Sequence, residues 1–170
     1  INRGNLSKIF GELFMLIEAD KRGVGLNLLY SDEEFSVPKN VRIIGMMNTA
    51  DRSLAMLDYA LRRRFAFFDI RPGFDSDGFN AYLDDLDSNQ FASLVSTVKQ
   101  LNVEISEDDT LGEGFCIGHS YFCGIPSGKA DSARLAAIVN YELVPLLREY
   151  WYDEPAKVKE WAQRLRSAAN

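Results

Sequence analysis

Histidine is almost missing from this chain, with one copy at His119, and cysteine is scarce, with Cys116 and Cys123 alone. A single imidazole excludes metal centres built on several histidines. Any Ser-His-Asp triad would have to use His119, and Gly118-His119-Ser120 is not a nucleophile elbow. Two thiols cannot make a disulfide framework and neither has a Cys or His neighbour at zinc spacing, so both read as buried thiols. No apolar run reaches the roughly 18 to 20 residues that cross a bilayer, and no basic stretch leads into an apolar one at the start. Internal repeats and low-complexity tracts are also missing. What is there is ordinary globular material: 170 residues, 46% apolar and 26% charged, enough for one domain or for a core with an appendage. A soluble intracellular protein with no membrane partner is expected.

The net charge of -6 hides an asymmetry. Up to Pro72 there are 11 Lys and Arg against 9 Asp and Glu, a net of +2, whereas Gly73 onward carries 8 against 16, a net of -8. The overall acidity, which superficially argues against a partner as polyanionic as DNA, therefore says little about one. The opening Ile1-Asn2-Arg3-Gly4-Asn5 has no initiator Met, which reads as a piece of a longer polypeptide.

Apolar residues at Leu6, Ile9, Phe10, Leu13, Phe14 and Ile17 predict an amphipathic helix with Asn5 as its N-cap. Lys21 to Pro38 alternates loosely around two glycines and predicts a short hairpin or an excursion. Val41 to Met47 reads as a strand buried on both faces of a parallel sheet, with Met46 and Met47 inside it. A polar turn at Asn48 to Ser53 and a helical stripe at Leu54, Leu57, Leu61 and Phe65 follow, then a second strand over Phe65 to Ile70. The composition changes at Arg71-Pro72-Gly73, so a boundary is placed there, separating 1–72 from 73–170. Behind it, helices are predicted over Asp77 to Leu86, Phe91 to Leu101, Asp131 through Leu147 despite Pro145, and Pro155 to Ala168. Gly112 to Gly124 reads as a turn-rich aromatic insert near 112–124.

Asn48 stands at the carboxyl end of a predicted strand, where ligands bind in open α/β sheets. Its amide can orient a water and hold a phosphate oxygen at once, or, with Asp51, it can simply satisfy the turn and cap the next helix. Arg62, Arg63 and Arg64 end that helix, where cations complement the carbonyl terminus. Successive residues lie about 100° apart, so at least one guanidinium can leave the core and meet a neighbouring subunit's phosphate. His119 and Ser120 could contact a phosphate or base, or His119 could be a satisfied core histidine. Gly124 to Ala130 imitates a P-loop but is one residue short, with Ala130 where Ser or Thr should stand, and reads as a surface turn. Asp85, Asp87 and Asn89 imitate the start of a calcium loop, but Gln90 and Ser96 break it, leaving a solvated face.

Asn2-Arg3-Gly4-Asn5, the run Val37 through Met46-Met47-Asn48-Thr49-Ala50-Asp51-Arg52-Ser53, and Asp58 through Arg62-Arg63-Arg64-Phe65 together resemble the second half of an AAA+ nucleotide hydrolase. The likeness is closest to the McrB-type GTPases, motor subunits of modification-dependent restriction systems. Met-Asn-Thr-Ala-Asp-Arg-Ser is specific to that branch, and the Arg-Arg-Phe feature is shared by many AAA+ proteins. Gly118 to Phe122 and Tyr141 to Leu147 resemble the McrB lid, so the likeness covers nearly the whole chain.

The resemblance implies an α/β P-loop NTPase (AAA+) core, of which 1–72 is the C-terminal portion of the parallel sheet, followed by a mostly α-helical lid subdomain over 73–170. It implies that Asn48 positions the attacking water and that Thr49, Ala50 and Asp51 complete the nucleotide-binding signature. Arg63 or Arg64 would act in trans, with Arg62, Asn2 and Arg3 at the interface, and His119 and Ser120 would lie where a second sensor sits. GTP with Mg2+ is the implied cofactor pair, with ATP and a MoxR-type ATPase as the alternative, and a non-hydrolysing oligomerisation module as a third reading. The implied partners are further copies in a hexameric ring, a McrC-like nuclease subunit, and DNA through other domains. The setting would be the cytoplasm of a bacterium or archaeon. The Walker A loop and Walker B acids that the family uses are missing from these residues, so the piece alone is expected to bind nucleotide weakly and not to hydrolyse it, with no metal site of its own.

Overall fold

The computed structural model describes residues 6–11, 13–48, 50 and 62–170, without the side chains of Leu6 and Ser7. The chain divides into two compact units, Ile1–Asp69 and Ile70–Asn170.

In the first unit the predicted opening helix is interrupted. Helices α1 (Leu6–Phe10) and α2 (Leu13–Leu16) are separated at Gly11, whose φ of +50° is left-handed and ends the first helix. Phe14 and Leu16 of α2 are buried. The predicted hairpin forms as β1 (Leu26–Asn27) antiparallel to β2 (Glu34–Phe35), with Leu26 opposite Phe35 and Asn27 opposite Glu34. Asp32, at φ +58°, supplies the left-handed residue of its loop.

Val41 to Met47 and Phe65 to Ile70, read from the sequence as buried parallel strands, form no ladder among the described residues, whose sheet is the two-stranded hairpin. Ile44 is 90% exposed, Met46 83% and Phe68 89%. A strand buried on both faces needs neighbours along both edges and helices above and below, and the described residues provide neither. The predicted helix through Leu54, Leu57 and Leu61 and the cap Asn5 lie outside the described residues.

The second unit is helical around one apolar core. Ser76 caps α3 (Asp77–Leu86), its Oγ accepting the Phe79 N–H at 3.3 Å. Ser88 repeats the arrangement for α4 (Asn89–Glu107), accepting from Phe91 at 3.2 Å. Each such cap contributes roughly 1 kcal/mol. Asp87, at φ 44°, turns the chain between the two helices in two residues. Phe91, Leu94, Val95, Val98, Leu101 and Ile105 form the buried stripe of α4, which therefore runs beyond the predicted Leu101.

Asp131 caps α5 (Ser132–Ile138), accepting from the Arg134 N–H at 2.8 Å. The predicted continuation past Pro145 is achieved by a change of pitch. Val139–Leu143 is a π-helical segment in which the Val144 N–H reaches the Val139 carbonyl, and α6 (Val144–Tyr150) then carries Pro145 in its first turn. Proline has no N–H to offer the preceding turn, and its position here removes the conflict. The last helix, α7 (Pro155–Ala168), buries Val158, Trp161, Ala162 and Leu165 against the core.

Candidate functional site

Asn48 is exposed, and its Oδ1 accepts the Ala50 N–H at 3.0 Å, the side-chain turn that the sequence reading weighed against a water-positioning role. Thr49, Asp51, Asn2 and Arg3 lie outside the described residues.

The arginine triplet is partly resolved by packing. Arg64 is engaged inside its own unit. Its Nη2 pairs with Glu18 Oε1 and its guanidinium lies 4.5 Å from the centre of the Phe14 ring. The side chain is 20% exposed, so its charge is held against carboxylate and aromatic face together. Arg62 and Arg63 are exposed.

In the second unit, the Gly112 to Gly124 segment is irregular, with short 3-10 turns at Glu113–Phe115 and His119–Phe122. Side chains from α3 and α4 pin it. The Asn102 amide donates to the Ile117 carbonyl at 2.9 Å and accepts the Ile117 N–H at 2.6 Å, satisfying both backbone groups of one residue. Tyr82 Oη accepts the Ile125 N–H at 2.9 Å and lies 3.1 Å from the Phe122 and Ile125 carbonyls. Burial raises the Tyr82 phenol above its ordinary value, so the hydroxyl keeps its proton as a donor.

Between these anchors sits His119. Its Nδ1 accepts the Gly73 N–H at 2.9 Å, and its ring meets Phe74 and Phe79 edge to face at centroid distances of 6.2 and 5.8 Å. Gly73 allows this approach because a Cβ there would stand 3.1 Å from His119 Cε1 and 3.3 Å from Nδ1. His119 is half-buried and Ser120 is exposed. The partner Gly73 was not legible in the sequence, since 46 positions separate it from His119.

Cys123 is exposed and Cys116 half-buried, which corrects the reading of both as buried thiols. Desolvation raises the Cys116 thiol above its usual value. Cys123 sits at the end of the 3-10 turn, where its Sγ reaches only the His119 carbonyl at 3.5 Å, too near the surface for the core. Met46 and Met47, expected in a buried strand, are exposed for the reason given above. In the P-loop imitation, Pro126 to Lys129 is an exposed turn closed by the Lys129 N–H on the Pro126 carbonyl at 3.0 Å, between the buried Ile125 and Ala130. Among the described residues no three His, Cys, Asp or Glu come together to hold a metal ion, and no helix is long and apolar enough to cross a membrane. A groove of about 710 Å³ runs along α3 and α4 between Phe74, Leu83, Val95 and Val103, and none of the candidate residues lines it.

Residues 1–65 match the model of the AAA domain of the dynein-related subfamily, and residues 93–159 match that of the McrB alpha-helical lid domain. The type IV methyl-directed restriction enzyme EcoKMcrB subunit of Escherichia coli K12 is 52% identical over 175 aligned residues, covering 97% of this chain and 38% of that protein. The type II restriction enzyme BsuMI component YdiS of Bacillus subtilis 168 is 33% identical over 81 residues, covering 39% of this chain and 24% of that protein. The chain thus spans well under half the length of either relative. An AAA segment followed by an McrB lid segment, with half-identity running through both, makes this chain a member of the McrB-type AAA+ proteins.

Proposed function

We propose that this chain is the sensor and lid portion of a GTP-hydrolysing AAA+ motor that drives DNA cleavage in a modification-dependent restriction system. Residues 1–72 would complete the parallel sheet of the α/β core and 73–170 would form the lid. The observation that carries the reading is the colinear 52% identity with a restriction subunit across both the AAA and the lid segments. The intact protein would work in the cytoplasm of a bacterium or archaeon, as a hexameric ring with a McrC-like nuclease subunit, touching DNA through other domains.

The reaction is phosphoryl transfer from GTP to water, and its residues divide by chemistry. Asn48 orients the water through its amide while Thr49, Ala50 and Asp51 border the nucleotide. The packing of Arg64 against Glu18 and Phe14 favours Arg63 as the charge offered in trans to the neighbour's γ-phosphate. Arg62, Asn2 and Arg3 flank that interface, and His119 and Ser120 approach the nucleotide from the lid. Among the described residues no three His, Cys, Asp or Glu converge on a metal site, and this reading assigns the Mg2+ ligands to other parts of the intact protein. For the same reason the isolated chain binds GTP weakly and does not hydrolyse it.

The test is turnover of GTP and ATP by the intact protein and by its Asn48→Ala variant. Loss of GTP turnover on substitution, with GTP preferred over ATP, is the expected result. Preserved turnover would remove Asn48 from the site, and a preference for ATP would replace the GTPase by an ATPase.

A further inference from the structure

The bond from Gly73 decides which nitrogen of His119 carries the proton. A backbone N–H can only donate, so the nitrogen that receives it must offer a lone pair. Nδ1 receives it at 2.9 Å, which leaves the proton of the neutral ring on Nε2. Nε2 has no hydrogen-bond partner among the described residues and is not buried. The ring itself is fixed in place by edge contacts to Phe74 and Phe79, and the segment bearing it is held at Ile117 by Asn102 and at Ile125 by Tyr82. The result is a single N–H aimed outward from a rigid support, with its direction and its polarity both set by the fold. A donor held this way has lost its side-chain freedom before any ligand arrives, which removes part of the entropy cost of binding. It also has a fixed preference: it binds an oxygen that accepts and cannot receive a proton donor.

We propose that Gly73 is a positioning residue that holds His119 as the Nε2–H tautomer, so that Nε2 donates a hydrogen bond to a phosphate oxygen of the nucleotide. This rests on the reading above that the lid segment at His119 and Ser120 approaches the nucleotide. The close packing at Gly73 is part of the device. A side chain there would push on the imidazole that the amide is meant to hold.

Two measurements test the proposal. The first needs no nucleotide. His119 is the only histidine, so 15N-edited NMR of this chain labelled at its histidine reads one ring, with no assignment required. A pyrrole-like Nε2 and a pyridine-like Nδ1 are expected at alkaline pH, and the reverse pattern overturns the proposal. The second uses the intact protein and a non-hydrolysable GTP analogue. In His119→Asn the amide oxygen can take the place of Nδ1, keeping the Gly73 bond but losing the outward donor. In His119→Gln the amide nitrogen can take the place of Nε2, losing the Gly73 bond but keeping the donor. The Asn variant is expected to lose roughly ten- to a hundredfold in affinity, the worth of one hydrogen bond to a charged acceptor. The Gln variant is expected to stay within a few-fold of the parent while melting at a lower temperature than the Asn variant.

A purely structural His119 predicts the opposite order, with Asn the better replacement for binding as well as for melting, and that outcome overturns the proposal. If Nε2–H is found but Asn, Gln and Ala variants all bind like the parent, the lid segment does not meet the nucleotide. The reading on which the proposal rests then fails and takes the ligand with it. If all three variants bind weakly and the NMR shows the proton on Nδ1, that reading stands and the tautomer assignment alone is wrong.

Discussion

The indole Nε1–H of Trp151 donates to Asp108 Oδ2 at 2.7 Å, and the same oxygen lies 3.2 Å from Lys157 Nζ. The ammonium of Lys157 sits 4.2 Å above the Trp151 ring and 3.3 Å from Glu104 Oε1. One turn along, Trp161 Nε1 donates to Glu104 Oε2 at 3.0 Å, and Arg164 lies 3.8 Å from the Trp161 ring while its Nη2 reaches Gln100 Oε1 at 2.8 Å. Gln100, Glu104 and Asp108 recur every fourth residue, so one edge of α4 and its C-cap hold the polar tips of both tryptophans and two cations of α7, Lys157 and Arg164. This gives part of the acidic lid charge a structural use.

Replacing Asp108 by Ala orphans the buried Trp151 N–H, takes one of its two carboxylates from Lys157, and removes the bonds that the exposed Thr110 N–H and hydroxyl make to Oδ1. A loss of about 3 kcal/mol is expected, the scale of a hydrogen bond to a charged group with buried partners. The urea midpoint of this chain should fall with little change in slope.

Acid should act through the same carboxylate. Hydrogen bonds from Thr110, then from Trp151 and Lys157, hold Asp108 well below the ordinary aspartate value of 3.8. A lowered folded-state value means that this stabilisation is complete above that ordinary value and is lost as pH falls through the lower folded one. Chemical denaturation between pH 6 and pH 2.5 should show the parent losing stability below about pH 4. The Asp108→Asn variant, weaker throughout, should lack that part of the slope.

Tyr82→Phe removes one oxygen and leaves the Ile125 N–H without its acceptor. Unfolding free energy should drop by about 1 to 3 kcal/mol. Hydrogen exchange should rise at Ile125 ahead of the helices, and equal protection at that amide would show that the hydroxyl is dispensable.

Arg63 and Arg64 should separate in experiment. Arg64→Ala removes the pair with Glu18 and the contact with Phe14, and should lower the melting temperature of the intact protein. Arg63→Ala should reduce GTP turnover by roughly 10³ to 10⁵, the range for a finger acting in trans. The two phenotypes exchanged between the residues would assign the finger to Arg64.

The lid helices were legible because local signals agree there. Ser76, Ser88 and Asp131 are polar caps directly ahead of apolar stripes, and burial follows the stripe through Ile105. The front of the chain was less so. Gly11 counts as one weak helix residue in a periodic run, yet its backbone conformation divides that run. Val41 to Met47 has the composition of a buried strand, but composition cannot supply the neighbours that bury it. At the site, residue types pointed to Asn48, the arginines and His119, whereas Glu18 for Arg64 and Gly73 for His119 are long-range partners that no local pattern encodes.

Leu135, Val139, Leu143, Leu147 and Trp151 are all buried, at a uniform step of four. In an unbroken α-helix four residues overshoot one turn by about 40°, so across the series the last side chain would stand roughly 160° from the first. The wide turn at Val139–Leu143 takes up much of that drift by accommodating one extra residue. Its length is therefore a phase setting: deleting one residue between 139 and 143 could leave a good helix, but it would swing Leu147 and Trp151 by about 100° out of the core and carry the Asp108 contact away with them.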